Sequence, residues 1–266
     1  MTDAAPRQVP EYEREEWRPR RARHALCVFV INENGRLHRQ LEKMRAYAGD
    51  VDVVIADGGS SDGSTARALL EPLGVNSLLT KRGPGKLGAQ MRMAFDWALD
   101  RGYEGVIVMD GNDKDDPAAI PSMVQALEED FDHVQGSRFV PGGRAVNTPF
   151  SRYWAIKLLH APLMSLAAGR RCTDTTNGFR AYSRRLLSDP RVQPFRDCFP
   201  AYELHYYLQI RAARLGFRTC ERPVTRAYPD HGPVPTKISP VRGNLKVLRT
   251  LLAAVFGCFD PPRERT

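Results

Sequence analysis

Residues 25–31, Ala-Leu-Cys-Val-Phe-Val-Ile, form an unbroken apolar run that stops at Asn32-Glu33-Asn34-Gly35. The run is too short to cross a bilayer, and its lack of polar alternation implies burial on both faces. Those two properties describe a central parallel strand, which needs helices on both sides of its sheet and so commits the chain to an α/β fold. The flanking segments agree. Leu37, Leu41, Met44 and Ala48 recur at helical spacing over 36–48, and 51–56, Val-Asp-Val-Val-Ile-Ala, repeat the strand pattern before Asp57-Gly-Gly-Ser-Ser-Asp-Gly. Strand, helix, strand implies a right-handed crossover.

The pattern continues along the chain. A short strand over 77–80 leads into the basic, glycine-rich Lys81-Arg-Gly-Pro-Gly-Lys86-Leu-Gly88, which opens a helix over 87–100. A strand over 105–109 and a helix over 117–129 follow, then a strand from Asp132. Residues 153–168 read as an apolar helix interrupted by Pro162, 202–215 as a helix with Glu203 near its start, and 222–226 as a last strand. Residues 228–240 hold four prolines and Lys237, which suits a loop over the site. In open α/β sheets ligands bind beyond the carboxyl ends of the strands, so the polar turns after these strands mark the expected site.

The strand at 105–109 ends in Asp110-Gly-Asn112-Asp113-Lys-Asp115-Asp116-Pro117, where four carboxylates and one lysine leave a net charge of −3. That concentration calls for a cation or solvent, and a divalent metal is one reading. The other is that Asp115 or Asp116 caps a helix starting at Pro117. Both can hold, since Asp110 and Asn112 precede the cap.

A chain of 266 residues with 42% hydrophobic content buries a full core, and one domain with appendages is expected. The formal charge of +8 and pI near 9.4 favour a polyanionic partner: nucleotide phosphates, a phospholipid surface or nucleic acid. Part of that excess lies in residues 14–23, read as a flexible basic arm over 1–24. Five scattered cysteines without C-x-x-C spacing indicate reduced thiols and a cytoplasmic protein, and no secretory signal is evident. The longest apolar stretch, 251–259, is too short to span a bilayer, so membrane contact is expected to be peripheral. Over 241–266, Leu245, Leu248, Leu252, Val255, Phe256 and Phe259 form one helical stripe beside Arg242, Lys246 and Arg249. This basic amphipathic helix either lies on an anionic inner membrane face or docks on the core.

Together these segments resemble the family 2 glycosyltransferases of the GT-A (Rossmann-like) fold, most closely their dolichyl-phosphate mannosyltransferase-like branch. The resemblance covers 25–237, within a catalytic domain placed at 25–240. It implies a mostly parallel central sheet flanked by helices and a nucleotide-sugar donor site. Asn32-Glu33 and Asp57 match the turns that approach the nucleobase and ribose, and Lys86 and Gly88 match a donor-site loop. Asp110-Gly-Asn112 matches an Asp-x-Asp motif for Mg²⁺ or Mn²⁺, with Asn112 a departure for which Asp113 would compensate. Arg138 and Lys237 match phosphate-facing residues, while Asp174, Asn177 and Arg180 match an Asp-x-x-Ser-Gly-Phe-Arg segment on the acceptor side.

The implied activity is metal-dependent inverting sugar transfer to a polyprenyl phosphate, an acceptor already ionised near neutral pH. Arg138, Arg180 and Lys237 would offset phosphate repulsion. Asp110, Arg138, Lys237 and Glu203 are the catalytic candidates. A hydroxyl acceptor on a saccharide or soluble metabolite is the second expectation; it requires a carboxylate base, for which Glu203 and Asp174 are the candidates. Glu203 also reads as an ordinary acid at a helix N-terminus. A nucleotidyltransferase would place its basic loop after the first strand, where Asn32-Glu33 stands, and a non-catalytic nucleotide-sugar-binding module is the remaining alternative. Nucleic-acid binding has only the charge in its favour and is not expected. No pattern sets an oligomeric state.

Overall fold

The computed structural model describes residues 6–47, 49–229 and 242–262. Lys237 and the rest of the proline-rich segment at 230–241 lie outside the described residues. The strands are β1 (Tyr12–Glu16), β2 (His24–Val30), β3 (Asp52–Asp57), β4 (Val75–Lys81), β5 (Gly105–Asp110), β6 (His133–Ser137), β7 (Arg144–Val146), β8 (Arg180–Ser183), β9 (Thr219–Pro223) and β10 (Thr225–Ala227). The helices are α1 (Gly35–Met44), α2 (Arg67–Leu70), α3 (Leu87–Asp100), α4 (Ile120–Glu128), α5 (Phe150–Ala155), α6 (Ala161–Ala168), α7 (Arg184–Ser188), α8 (Glu203–Arg214) and α9 (Arg242–Val255).

Among the described residues eight strands make one sheet in the order β1-β4-β3-β2-β5-β8-β6-β9. Strands β2 to β5 are mutually parallel, β8 runs antiparallel to β5 and β6, and β9 is parallel to β6. The chain steps outward from β2 to β3 and β4, then returns to place β5 on the other side of β2. That reversal leaves a crevice beyond the carboxyl ends of β2 and β5, which is where a ligand fits in such sheets.

Every residue of β2 is buried. Ala25, Cys27 and Phe29 pack on one face with Phe95 of α3 and Leu208 of α8, while Leu26, Val28 and Val30 pack on the other with Leu37 and Leu41 of α1 and Met123 of α4. The uninterrupted apolar run is thus the consequence of two helical layers.

Three elements depart from expectation. Instead of a flexible arm, described residues before β2 include β1, paired antiparallel along the edge of β4, and Arg7 bonds Asp96 and Asp100 of α3. As an edge strand with four exposed residues, β1 has no apolar period to betray it. The expected strand over 222–226 is two strands: β9 joins the main sheet, whereas β10 pairs with β7 in a separate two-stranded sheet. The apolar helix begins at Phe150 and runs on through Ala168 with a π turn at Ile156–His160. Pro162 lacks the N–H that would bond the carbonyl of Leu158 and its ring crowds that carbonyl, so the preceding turn widens.

Of the two expectations for the C-terminal helix, docking holds: α9 buries Leu251 and Ala254 against α6 and α8. All five cysteines are free, Cys27 and Cys172 being buried. Among the described residues no helix is long and apolar enough to cross a membrane.

Candidate active site

Asp110 ends β5 at the crevice, and the turn after it is fixed from α1. Gln40, fully buried, donates Nε2 to the carbonyl of Asp110 (2.8 Å) and accepts from the amide of Asp113 (2.7 Å) through Oε1. Asp113 takes a positive φ of 60° and turns its carboxylate outward, where Arg39 Nε (3.2 Å) and Lys43 Nζ (2.7 Å) of α1 hold its two oxygens. Asp113 is therefore not the compensating metal ligand expected from the sequence; the bend in the main chain sends it to solvent-facing cations.

The counter-charge to Asp110 comes from Arg226 of β10. Arg226 Nη2 donates to Asp110 Oδ2 (3.0 Å), and Nη1 donates to Asp115. Asp115 is buried and bonded this way, so the helix cap is Asp116, whose side chain accepts from the amide of Ala118 at 3.0 Å. Burial opposes the Asp110 carboxylate, but Arg226 and then Lys114 outweigh it and hold Asp110 below the usual carboxylate range. For Asp115 burial dominates and pushes the carboxyl up.

More cations gather beside this pair. Lys114 Nζ lies 5.5 Å from the Tyr228 ring centre and Arg152 Nη1 donates to the Tyr228 hydroxyl at 2.8 Å. Burial raises the Tyr228 phenol, yet Arg226, Arg152 and Arg138 together bring it below its ordinary value. Burial, reinforced by Arg226, lowers Lys114 to about 8. Sequence reasoning missed Gln40, Lys114, Arg152, Arg226 and Tyr228. Lys114 alone carried a signal, as the one cation in the acidic run.

On the donor side the predicted turns meet. Asp57 accepts from the amide (3.0 Å) and hydroxyl (2.6 Å) of Ser60, and Ser60 Oγ accepts from the amide of Asn32 at 2.9 Å. Asn32 Oδ1 takes the amide of Ser61, and Glu33 pairs with Arg36. Gln90 of α3 bridges the carbonyls of Val30 and Ala56, tying the ends of β2 and β3 together. Lys86 is exposed just before α3. Gly88 has a packing task, since a Cβ there would stand 2.2 Å from the carbonyl oxygen of Phe199.

The acceptor-side candidates are largely committed to one another. Arg138 forms a two-pronged pair with Asp174 (Nε to Oδ2 2.6 Å, Nη2 to Oδ1 2.9 Å), both buried. Arg180 is 1% exposed and donates to the carbonyls of Asn177 (3.0 Å), His205 (2.7 Å) and Thr175 (2.7 Å). It pins the 174–178 loop to α8 and does not face a phosphate, contrary to expectation. Asn177 Oδ1 accepts from the amide of Phe179. Glu203 accepts from the amide of Ala201 at the start of α8, as an ordinary helix N-terminal acid does. Gly178 brings the loop against the acid: a Cβ there would lie 3.1 Å from Asp110 Oδ1.

The Asp-x-Asn pair fits a hard divalent cation. Asn112 Oδ1 is buried without a hydrogen-bond partner while its Nδ2 faces Asp110 Oδ2 at 3.4 Å, so turning the amide about its last torsion sets a second oxygen beside the carboxylate. Among the described residues no group of three or more His, Cys, Asp or Glu side chains gathers to enclose a metal. Donors of this kind suit Mg²⁺ or Mn²⁺ shared with substrate phosphates and water.

Residues 25–189 match the glycosyl transferase family 2 profile. The undecaprenyl-phosphate mannosyltransferase of Micrococcus luteus is 33% identical over 206 residues, covering 74% of this chain and 81% of that one. The polyprenol monophosphomannose synthase of Mycolicibacterium smegmatis is 30% identical over 207 residues, covering 76% and 77%. In fold the chain is similar to glucosyl-3-phosphoglycerate synthase of Mycobacterium tuberculosis, solved with Mn²⁺, UDP and glucosyl-3-phosphoglycerate, with a TM-score of 0.62 at 16% identity over 90% of this chain and 81% of that one. With the GT-A architecture, the acid at the end of β5 and a family match spanning most of the chain, this protein belongs to glycosyl transferase family 2 and is a glycosyltransferase.

Proposed function

We propose that the enzyme transfers a hexose, mannose by analogy with its relatives, from a nucleotide-diphosphosugar to a polyprenyl phosphate at the cytoplasmic face of a membrane. The observation that carries the choice of acceptor is the state of the two candidate bases. Asp174 is locked onto Arg138, and Glu203 accepts from the amide of Ala201 just ahead of its own helix. A hydroxyl acceptor needs a free base, whereas a phosphate monoester, with a second pKa near 6, reaches the site already as a nucleophile.

In this reading an acceptor phosphate oxygen attacks the anomeric carbon, the bond to the leaving diphosphate breaks, and its electron pair goes to the nucleoside diphosphate. No proton need move. Lys114 and Arg152 beside Tyr228, backed by Arg138 and Arg226 in their carboxylate pairs, supply positive potential where two sets of phosphates approach and charge develops on the leaving group. Asp110 and Asn112 would hold Mg²⁺ or Mn²⁺, which when bound supplies a Lewis acid for the leaving diphosphate. Asn32, Glu33 and Asp57, at the ends of β2 and β3, orient the nucleoside, and the exposed Lys86 is placed for a phosphate. Lys237, from the segment outside the described residues, retains its assignment to phosphate by resemblance alone.

Incubation with labelled UDP- and GDP-sugars and a polyprenyl phosphate gives a lipid-extractable labelled product if this reading holds. Absence of such a product across the panel, with transfer to a soluble hydroxyl acceptor instead, overturns it.

A further inference from the structure

Positions 150, 154, 158, 162 and 166 are Phe, Trp, Leu, Pro and Leu, and all five are exposed. They recur every fourth residue along the continuous helix formed by α5, the π turn and α6. An α-helix over-rotates by about 40° at each four-residue step, and the wider π turn reverses part of that drift, which keeps the row on one side. The opposite side carries Ile156, His160, Met164, Ala167 and Ala168, all buried. Of the nine exposed large apolar side chains among the described residues, Phe150, Trp154, Leu158, Leu159 and Leu166 lie on this one helix. Such a concentration marks an interaction surface rather than scattered surface apolarity.

The charge around it selects the partner. Residues 133–173 contain no Asp or Glu in a chain that carries 31 acids, and besides Arg138, which is buried against Asp174, they hold Arg144, Arg152, Lys157, Arg170 and Arg171. Arg152 also bonds Tyr228, so the row starts at the edge of the cationic site. An apolar ridge with an aromatic at its end, carried on an acid-free basic stretch of chain, is complementary to an anionic lipid surface. The sequence offered that role to the C-terminal helix as one of two readings, but α9 buries Leu251 and Ala254 against α6 and α8.

We infer that the 150–168 helix is the membrane-docking surface, inserting Phe150, Trp154, Leu158 and Leu166 into an anionic leaflet and holding the catalytic crevice at headgroup height. This rests on the proposed lipid-phosphate acceptor for its purpose, but it is tested without donor or acceptor, so loss of the one reading does not mimic loss of the other.

The full-length protein is sedimented with vesicles of phosphatidylcholine alone or with phosphatidylglycerol. Association with the anionic vesicles, and a drop of more than about tenfold in partition for Phe150→Ser/Leu158→Ser/Leu166→Ser, is expected from the apolar area withdrawn. Circular dichroism checks that this variant folds. Independently of it, dibrominated lipids quench the emission of the parent protein but not that of Trp154→Phe, which keeps the apolar ridge and loses the reporter. Equal sedimentation of parent and triple variant, equal quenching of parent and Trp154→Phe, or a dimer in solution that the triple variant dissolves would each overturn the inference, the last by assigning the ridge to a second copy of the chain.

Discussion

The guanidinium of Arg226 stands between Asp110 and Asp115, bonding the first through Nη2 at 3.0 Å and the second through Nη1, although they are 116 and 111 residues away in the chain. One cation on β10 thereby fixes the acid at the end of β5 and the start of the segment leading to α4. Removing it strands the buried Asp115 and the half-buried Asp110. Arg226→Ala is expected to cost about 3–5 kcal/mol of stability, read as a lower urea midpoint. Arg226→Lys keeps the charge without the fork and falls between. Asp115→Ala belongs with this group, while Asp116→Ala costs about 1 kcal/mol as a lost cap.

Metal binding separates Asp110 from Asp113. Mn²⁺ titration in the presence of a nucleoside diphosphate, followed by electron paramagnetic resonance, should show affinity falling at least about tenfold in Asp110→Asn, by loss of a charged ligand. Asp113→Asn should bind as the parent does, because its carboxylate is already engaged by Arg39 and Lys43. A large loss in Asp113→Asn would overturn the placement of that side chain. Asn112→Asp adds a charged oxygen and is expected to tighten Mn²⁺.

How far the sequence reveals the molecule depends on the range of each interaction. The runs at 25–31 and 51–56 announced β2 and β3 because burial on both faces leaves an apolar string that local reading detects. Helix α3 begins and ends where the sequence places it, at 87–100 behind the glycine-rich loop. Local reading brought a candidate to the crevice wherever it ends a strand or directly follows one, as with Asn32, Glu33, Asp57 and Asp110. The site was not legible where charges pair across the fold. Nothing near Arg138 or Arg180 in the sequence says that Asp174 and three main-chain carbonyls will consume their donors, and nothing near Arg226 names Asp110 as its partner. Strand β1 escaped notice for the opposite reason: an exposed edge strand buries too little to leave a pattern.

Glu203→Gln tests the acceptor. With Glu203 accepting the amide of Ala201, a phosphate-acceptor enzyme should keep kcat within about threefold of the parent, since the amide oxygen still accepts that bond. A fall of about 10²-fold or more with donor binding retained would indicate general-base catalysis and a hydroxyl acceptor.

Acid should destabilise the fold before most carboxylates titrate. His133 is 1% exposed, meets Tyr182 edge to face and leaves Nε2 without a partner; burial, with Arg180 and Arg170 adding to it, holds its pKa well below 6.5. His205 is held down the same way, by burial first and then Arg180. Each stays neutral in the folded state while the unfolded chain takes up a proton as pH drops through 6.5. The unfolded state then binds more protons, so stability falls as pH falls, by about 1.4 kcal/mol per pH unit for each such histidine until its folded pKa is reached. Urea unfolding between pH 7.5 and 5 should therefore show a steep loss below 6.5, and His133→Gln should remove one proton's share of the slope. An identical slope in parent and variant would mean that His133 already carries its proton in the folded protein.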